Sequence, residues 1–320
     1  MSYTVAVLMG GPSAEAEVSR ASAKEVATAL KHRGHRAELL ELDHATAEHL
    51  ARLSPQAVFP ALHGPPGEDG TVQGFLEILG YPYVGSGVHG SAVAMDKALA
   101  KAVFRDHDLP VADHIQLACD ADAAAAAAEV ESRFGSRVVV KPMGQGSAIG
   151  VTPLANGGDV LSALESALSY GGGALVEPYV LGREITVGVL DLEGESAQAL
   201  PVIEIRTAGD QWYDFHNRYT VGSSEHIIPA PLSDKTNLAL QEIALNAHRS
   251  LGLKDLSRAD FIVTDSDDIV LLEVNTLPGM TPTSLFPDGA RAIGISFPEL
   301  MERLVASALR RAGTDQPSTA

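Results

Sequence analysis

The stretch from Arg258 to Thr276, Arg-Ala-Asp-Phe-Ile-Val-Thr-Asp-Ser-Asp-Asp-Ile-Val-Leu-Leu-Glu-Val-Asn-Thr, leaves the surrounding chain few choices. Two runs of β-formers flank the turn-forming cluster Asp265-Ser266-Asp267-Asp268, which reads as a β-hairpin. Pairing Thr264 with Ile269 and counting outward sets Ile262 opposite Leu271, Asp260 opposite Glu273, and Arg258 opposite Asn275. Side chains alternate along a strand, so Arg258, Asp260, Glu273 and Asn275 share one face. Ala259, Phe261, Val263, Val270, Leu272 and Val274 form an apolar layer on the other. Directly opposed carboxylates repel and weaken a bare sheet. A bound cation reverses that sign, and two carboxylates with an amide oxygen are hard donors suited to Mg²⁺. The plainer reading is a solvated polar face on an edge hairpin.

The chain of 320 residues has room for two or three domains. Val5–Leu8, Ala37–Leu42 and Ala57–Ala61 read as strands, alternating with helices over 14–33 and 45–53. This βαβαβ order predicts a parallel, doubly wound sheet over roughly the first 95 residues. Ligands of such sheets sit beyond the carboxyl ends of the strands. Two loops fall there, Gly10–Glu15 and His63-Gly-Pro-Pro-Gly-Glu-Asp-Gly. Neither dinucleotide nor P-loop fingerprints are present. Glu15 also suits a purely structural place at a helix N-terminus.

A helical stretch follows with Met95-Asp96-Lys97, and Lys101 one turn on reads as an exposed, solvated lysine. Val111–Ala118 reads as a strand and Ala121–Phe134 as a helix. The strand 137–141 ends on Lys141, the glycine-rich loop 144–150 follows, and the chain returns as a strand at Val151. That order is a plain hairpin turn or a flap whose backbone N–H groups cover phosphates. Glu177 lies on a strand over 174–179, and Glu184 near the entry of the strand after it. Trp212–Glu225 is polar and aromatic without a period, and reads as an active-site lid. Helices over 232–251 and 297–310 close the fold.

Net charge is −18 with 23 Lys and Arg, which argues against nucleic acid or an anionic membrane as partner. No apolar run is long enough to span a bilayer, and the N-terminus reads as a first strand rather than a signal peptide. Cys119 is the only cysteine, excluding an intrachain disulfide and pointing to a reducing cytoplasm. It reads as a small buried hydrophobe.

Taken together, the motifs resemble those of the D-alanine–D-alanine ligases of the ATP-grasp superfamily. The motifs are Gly10-Gly-x-Ser-x-Glu-x-Glu-Val-Ser, His63-Gly-x-x-Gly-Glu-Asp-Gly, Gly85-Ser-Gly-Val, Met95-Asp-Lys, Lys141-Pro-x-x-x-Gly-Ser, Tyr213-Asp-x-x-x-x-Tyr, Arg258-x-Asp-Phe and Leu272-Glu-Val-Asn-Thr-x-Pro-Gly-Met-Thr. Their order covers nearly the whole chain. The resemblance implies an α/β, three-domain ATP-grasp fold: a parallel N-terminal substrate domain (1–95), a central ATP-grasp subdomain (96–182) and a C-terminal domain (183–320) with the metal and second-substrate sites. ATP lies between the latter two. On the family pattern, Lys97, Lys141, Gly146, Ser147 and Arg218 address its phosphates, and Glu177, Tyr179, Val180 and Glu184 the adenosine. Asp260, Glu273 and Asn275 carry two Mg²⁺, with Mn²⁺ as an alternative. Glu15 and His63 hold the first D-alanine, and Ser284 and Leu285 the carboxylate of the second. Arg258 and the Gly279 N–H serve the oxyanion, and Ser147, Tyr219 and Glu15 form a latch. The family also implies a cytoplasmic homodimer serving peptidoglycan synthesis.

The chain departs from the family pattern at three places. Ala148 replaces a second serine in the glycine loop, and Arg218 replaces a lysine before Tyr219. Ser223-Ser-Glu-His-Ile-Ile-Pro lacks the common aromatic before its proline. A ligase with another acceptor (D-serine, D-lactate or a specialised D-amino acid) and a nucleotide-binding protein without catalysis therefore stand as rival readings.

Overall fold

The computed structural model describes residues 2–207, 220, 222–281 and 284–314. Its first layer is a parallel sheet of β1 (Thr4–Met9), β2 (Arg36–Glu41) and β3 (Ala57–Pro60) in the order β2-β1-β3. β1 is apolar at successive positions because both of its faces are covered, as parallel sheets require. Val5 and Val7 share a core with Val26 and Leu30 of α1 (Ala16–His32). Ala6 and Leu8 meet Leu50 of α2 (Thr46–Leu53) and Val72 and Leu76 of α3 (Thr71–Leu79). α3 is absent from the sequence reading: its internal Gly74 and β-branched residues favour helix weakly. Burial of Val72 and Leu76, one turn apart, holds it in place.

The central sheet has the order β4-β7-β5-β6, with β4 at Ile115–Leu117, β5 at Val138–Pro142, β6 at Thr152–Pro153 and β7 at Ala174–Pro178. Helices α6 (Ala123–Phe134) and α7 (Val160–Leu168) share its core. The larger sheet runs β11-β10-β8-β12-β13, with β9 (Gln198–Ala199) paired to β8 (Arg183–Asp191). Its other members are β10 (Ile203–Thr207), β11 (Ser224–Ile227), β12 (Asp255–Val263) and β13 (Ile269–Asn275).

Ile185, Val187 and Val189 of β8 pack with Phe104 of α5 (Lys97–Asp106) and Leu240 and Ala244 of α8 (Asp234–Ser250). Leu190, on the opposite face, joins Phe286 of α9 (Leu285–Ala292) and Leu304 and Val305 of α10 (Phe297–Thr314). That core is the one shared with β1, so α10 clamps the N-terminal layer onto the large sheet. A short helix α4 (Val88–Met95) leads into α5.

The hairpin register holds at its inner end, where Arg258 pairs with Asn275 and Asp260 with Glu273. Farther out it is shifted by one: Phe261 faces Leu271, Ile262 faces Val270 and Val263 faces Ile269. A β-bulge at Leu272 causes the shift, and counting from the turn cannot detect it. Thr264 leaves the ladder for the loop, its Oγ1 accepting the N–H groups of Ser266 and Asp268 at 3.3 and 3.1 Å. Leu271 is consequently fully buried with Phe261 and Val263, and Leu272 is turned out of that core.

Further corrections follow from tertiary contacts. Lys101 is 1% exposed, not solvated. Cys119 is exposed, not buried. The strand expected over 111–118 shrinks to β4, with Val111 making a separate bridge to Leu271. Of the expected lid over 212–225, residues 212–219 and 221 lie outside the described residues, and its end enters β11. Among the described residues no helix is long and apolar enough to cross a membrane.

Candidate active site

The central and large sheets face each other across an open cleft. Val139 and Pro153 line it from the central sheet, Val151 from the residue just before β6, and Ile262 and Leu272 from the hairpin. The bulge thus supplies one apolar wall of the cleft. Pro178, Tyr179 and Val180 close the edge where the chain passes from β7 to β8, and Glu184 stands beside them. Two apolar walls around a flat slot with polar groups at one edge suit a planar heteroaromatic ring.

Charge gathers at the other end. Lys97 and Lys141 line the cleft together with Glu177 and Glu273. Lys97 opens α5 because Asp96 caps that helix, accepting the N–H groups of Ala98 and Leu99. Its Nζ donates to Gln145 O at 2.7 Å, tying α5 to the glycine loop. Glu177 is paired with Lys101 through one oxygen and with Lys141 through the other. Burial raises the pKa of an isolated carboxyl, but Lys141 and Lys101 outweigh it and hold Glu177 at about 2. For Lys97 and Lys101 burial dominates and lowers the pKa, whereas for Lys141 the attraction of Glu177 wins and raises it.

The glycine loop also reaches the N-terminal layer. Ser147 Oγ donates to Glu15 Oε1 across a sequence separation of 132 residues. Glu15 stands at the N-cap of α1, where the sequence reading placed it, but it is 3% exposed and its carboxylate makes no side-chain cap to that helix. Gly146 lies so close that a Cβ there would sit 2.8 Å from Glu15 Oε2. Ser147 and Ala148 both adopt left-handed backbone, φ 45° and 59°. Such strain in non-glycine residues concentrates at functional sites.

His63 is buried, with Nε2 3.1 Å from Ser22 Oγ. Burial, reinforced by Arg258, pushes it down to about 4, so the imidazole is neutral at pH 7. In the same loop Glu68 accepts the Gly64 N–H at 2.6 Å. Burial and the neighbouring Glu15 push Glu68 up to about 8, which keeps it protonated at neutral pH.

On the polar face of the hairpin, Arg258 Nε and Nη2 donate to Asp260 Oδ1 and Oδ2 at 2.8 and 2.7 Å. Thr186 Oγ1, on the adjacent strand, donates to Asp260 Oδ1 at 2.6 Å. Asn275 Oδ1 accepts the Leu277 N–H at 2.9 Å, which turns the chain toward Gly279. Among the described residues no three His, Cys, Asp or Glu are grouped as metal ligands; the hairpin offers two carboxylates and an amide.

Gly279 packs against Ser284, where a Cβ would lie 2.7 Å from Oγ. Ser284 Oγ accepts the Thr281 N–H at 2.9 Å and does not cap α9. Of the first turn of α9, Pro287 has no N–H and the Asp288 N–H donates to Ser284 O at 3.4 Å, which leaves the N–H groups of Leu285 and Phe286 without an acceptor inside the helix, the end of a helix that favours an anion. Arg218 and Tyr219 lie outside the described residues.

Lys101, Glu68 and Thr186 are the participants that sequence reasoning passed over. The i, i+4 spacing from Lys97 was visible, but nothing in the sequence distinguishes a buried lysine from a solvated one. Glu68 lay within the quoted loop motif, and its charge state depends on burial alone.

Two sheets closing on a cleft with apolar walls, paired lysines and a glycine loop define an ATP-grasp enzyme. The family described as "D-ala D-ala ligase C-terminus" matches residues 103–306, and "D-ala D-ala ligase N-terminus" matches 40–86. The D-alanine–D-alanine ligase of Desulforudis audaxviator is 43% identical over 309 residues, covering 96% of this chain and 99% of that one. The enzyme of the same name from Syntrophobacter fumaroxidans is 45% identical over 313 residues, covering 96% and 97%. Among solved structures, the ligase of Bacillus anthracis complexed with ATP superposes with a TM-score of 0.82 at 29% identity, covering 98% and 100% of the two chains. That of Coxiella burnetii gives 0.82 at 27% identity, covering 98% and 96%. The chain belongs to the D-alanine–D-alanine ligase family.

Proposed function

We propose that this protein joins two D-alanines into D-alanyl-D-alanine at the expense of ATP, supplying peptidoglycan synthesis. The observation that carries this reading is the Ser147–Glu15 hydrogen bond. It brings the phosphate-side loop against the first-substrate carboxylate, so phosphoryl transfer and amide formation share one enclosed space.

A carboxylate is a poor electrophile, so one oxygen of the first D-alanine attacks the γ-phosphate, releasing ADP and leaving an acyl phosphate. Lys97 and Lys141 neutralise the phosphates, the 144–150 loop covers them, and Gly146 and Ser147 contribute backbone and hydroxyl donors. Glu177 and Glu184 address the adenine amino group and the ribose, with Tyr179 and Val180 at the edge of the slot. Glu15 holds the ammonium of the first D-alanine, and neutral His63 helps place it. The α9 N-terminus, with Ser284 and Leu285, holds the carboxylate of the second. Its amine, having given up a proton, attacks the acyl carbon, Arg258 with the Gly279 N–H stabilises the oxyanion, and the tetrahedral species collapses with cleavage of the acyl C–O bond and release of inorganic phosphate. Arg218 and Tyr219 complete phosphate contact and latch.

The donor set fits hard divalent ions: Asp260 and Glu273 oppose one another, and the Asn275 oxygen retains a second lone pair. Those three residues would hold two Mg²⁺, or Mn²⁺, which supply charge neutralisation at the transferring phosphoryl group. Exposed Ile78 and Leu79 on α3 support a homodimer formed through the N-terminal layer. We place the reaction in the cytoplasm, where ATP is available.

Phosphate release with D-alanine as sole amino acid, followed by the product mass, tests the reading. A dipeptide of two alanines is expected. No release with any D-amino acid would overturn it, and a mixed product with D-serine or D-lactate at equal rate would favour the altered-acceptor reading, which Ala148 in the cleft wall supports.

A further inference from the structure

His226 of β11 and Asp288 of α9 are joined by a hydrogen bond of 2.7 Å between Nδ1 and Oδ2. Both side chains are largely withdrawn from solvent, at 12% and 14% exposure. Asp288 belongs to the first turn of α9, one turn beyond its N-cap Ser284. Beside this polar contact, Leu285 packs in an apolar cluster with Ile203, Ile205 and Ile228. His226 itself pairs in register with Ile205. The opening turn of α9 is thus docked on the β10–β11 edge by one polar and one apolar contact. Asp288 Oδ1 is engaged separately by Arg291 at 2.8 Å, which leaves Oδ2 to His226.

One further observation singles out His226. Its Nε2 is buried without a hydrogen-bond partner among the described residues, an arrangement that costs free energy and calls for a reason. A phenyl ring in its place could fill the space but could not donate to Asp288.

We propose that His226 and Asp288 are positioning residues for the acceptor amino acid. Their hydrogen bond fixes the angle at which the first N–H groups of α9 meet the acceptor carboxylate. α9 has only eight residues, so a tilt at its first turn moves the whole anion site. Small misplacements of a positioning group weaken binding and reaction together. The proposal rests on the ligase reading given above.

Initial rates of the full chain against D-alanine at saturating ATP, resolved into two amino-acid sites, and against ATP test it. His226→Phe is expected to raise the KM of the second site about tenfold, with the first-site and ATP values moving less than about twofold. His226→Asn, whose amide can replace Nδ1–H as donor, recovers most of the loss. Asp288→Ala gives the same rise, and the double variant adds nothing further. An unchanged second-site KM in His226→Phe, an equal rise in the ATP value, or additive effects in the double variant would each overturn the proposal. Should His226→Phe lose its thermal transition, Asp288→Ala and its double variant with His226→Asn decide in its place. Wild-type protein without D-alanine-dependent phosphate release would overturn the ligase reading and this proposal together.

Discussion

Arg258 grips Asp260 through both carboxylate oxygens, at 2.8 and 2.7 Å, two residues along the same strand. The pair joins the proposed oxyanion donor to a proposed metal ligand. Neither can move without the other being re-paired. Arg258→Ala should lower turnover by about 10²–10³ through the lost donor. It should also destabilise the fold by about 3–5 kcal/mol, because Asp260 is left an uncompensated, mostly buried charge. Arg258→Lys keeps the charge but not the planar fork, so it should restore much of the stability and little of the turnover. Urea denaturation alongside D-alanine-dependent phosphate release checks both halves; turnover unchanged in Arg258→Ala would remove the arginine from the chemistry.

Lys101→Met should weaken ATP binding while leaving the D-alanine KM values in place, since Lys101 acts on Glu177 and not on the amino acid sites. Glu177 titrates at about 2 in the fold against an ordinary 4.5. Its pairing therefore stabilises the protein fully above about pH 4.5, and that contribution is lost as pH falls toward 2. With one lysine gone, the folded value moves back toward 4.5, so the acid-induced loss should be smaller and complete at a higher pH. Urea midpoints of both proteins followed downward from neutral pH would show it, and parallel curves would contradict it.

Glu68 works in the opposite sense. Its folded pKa of about 8 lies above its ordinary 4.5, so between those values the native state holds a proton that the unfolded chain has released. Stability contributed by this group therefore falls as pH rises through that window. Glu68→Gln should remove the slope: relative to wild type, the variant should gain stability between about pH 5 and about pH 7.5. A constant difference between the two urea midpoints would show that Glu68 is ionised in the fold.

Gly146→Ala places a methyl group 2.8 Å from Glu15 Oε2. Either the glycine loop lifts or the Glu15 carboxylate turns away. We expect the first-site D-alanine KM to rise by about tenfold or more, with a smaller change for ATP. Two-site kinetics measure it, and a rise confined to ATP would place Gly146 in the phosphate site alone.

Much of the architecture was legible from local pattern. Alternating βα runs marked the N-terminal parallel sheet, and the apolar stripe of β12 and β13 marked a half-buried hairpin. Arg258, Asp260, Glu273 and Asn275 could be set on one face because strand periodicity is a property of the backbone. α3 escaped because weak helix formers are held there by contacts from β1 and α2. Ser284 and Leu285 entered only through the family resemblance, and the helix they open was not legible, because α9 is short and held by Phe286 in a core shared with β1.

The chain by itself determined the covalent alphabet of the site and its order, since glycines, lysines and carboxylates occur in motifs with fixed spacing. Only the tertiary structure decided how those motifs meet. The Leu272 bulge, the burial of Lys101, the proton on Glu68 and the His226–Asp288 contact all depend on groups distant in sequence that exclude water or supply an opposite charge. Desolvation and long-range pairing have no local period, so no reading of neighbouring residues can reveal them.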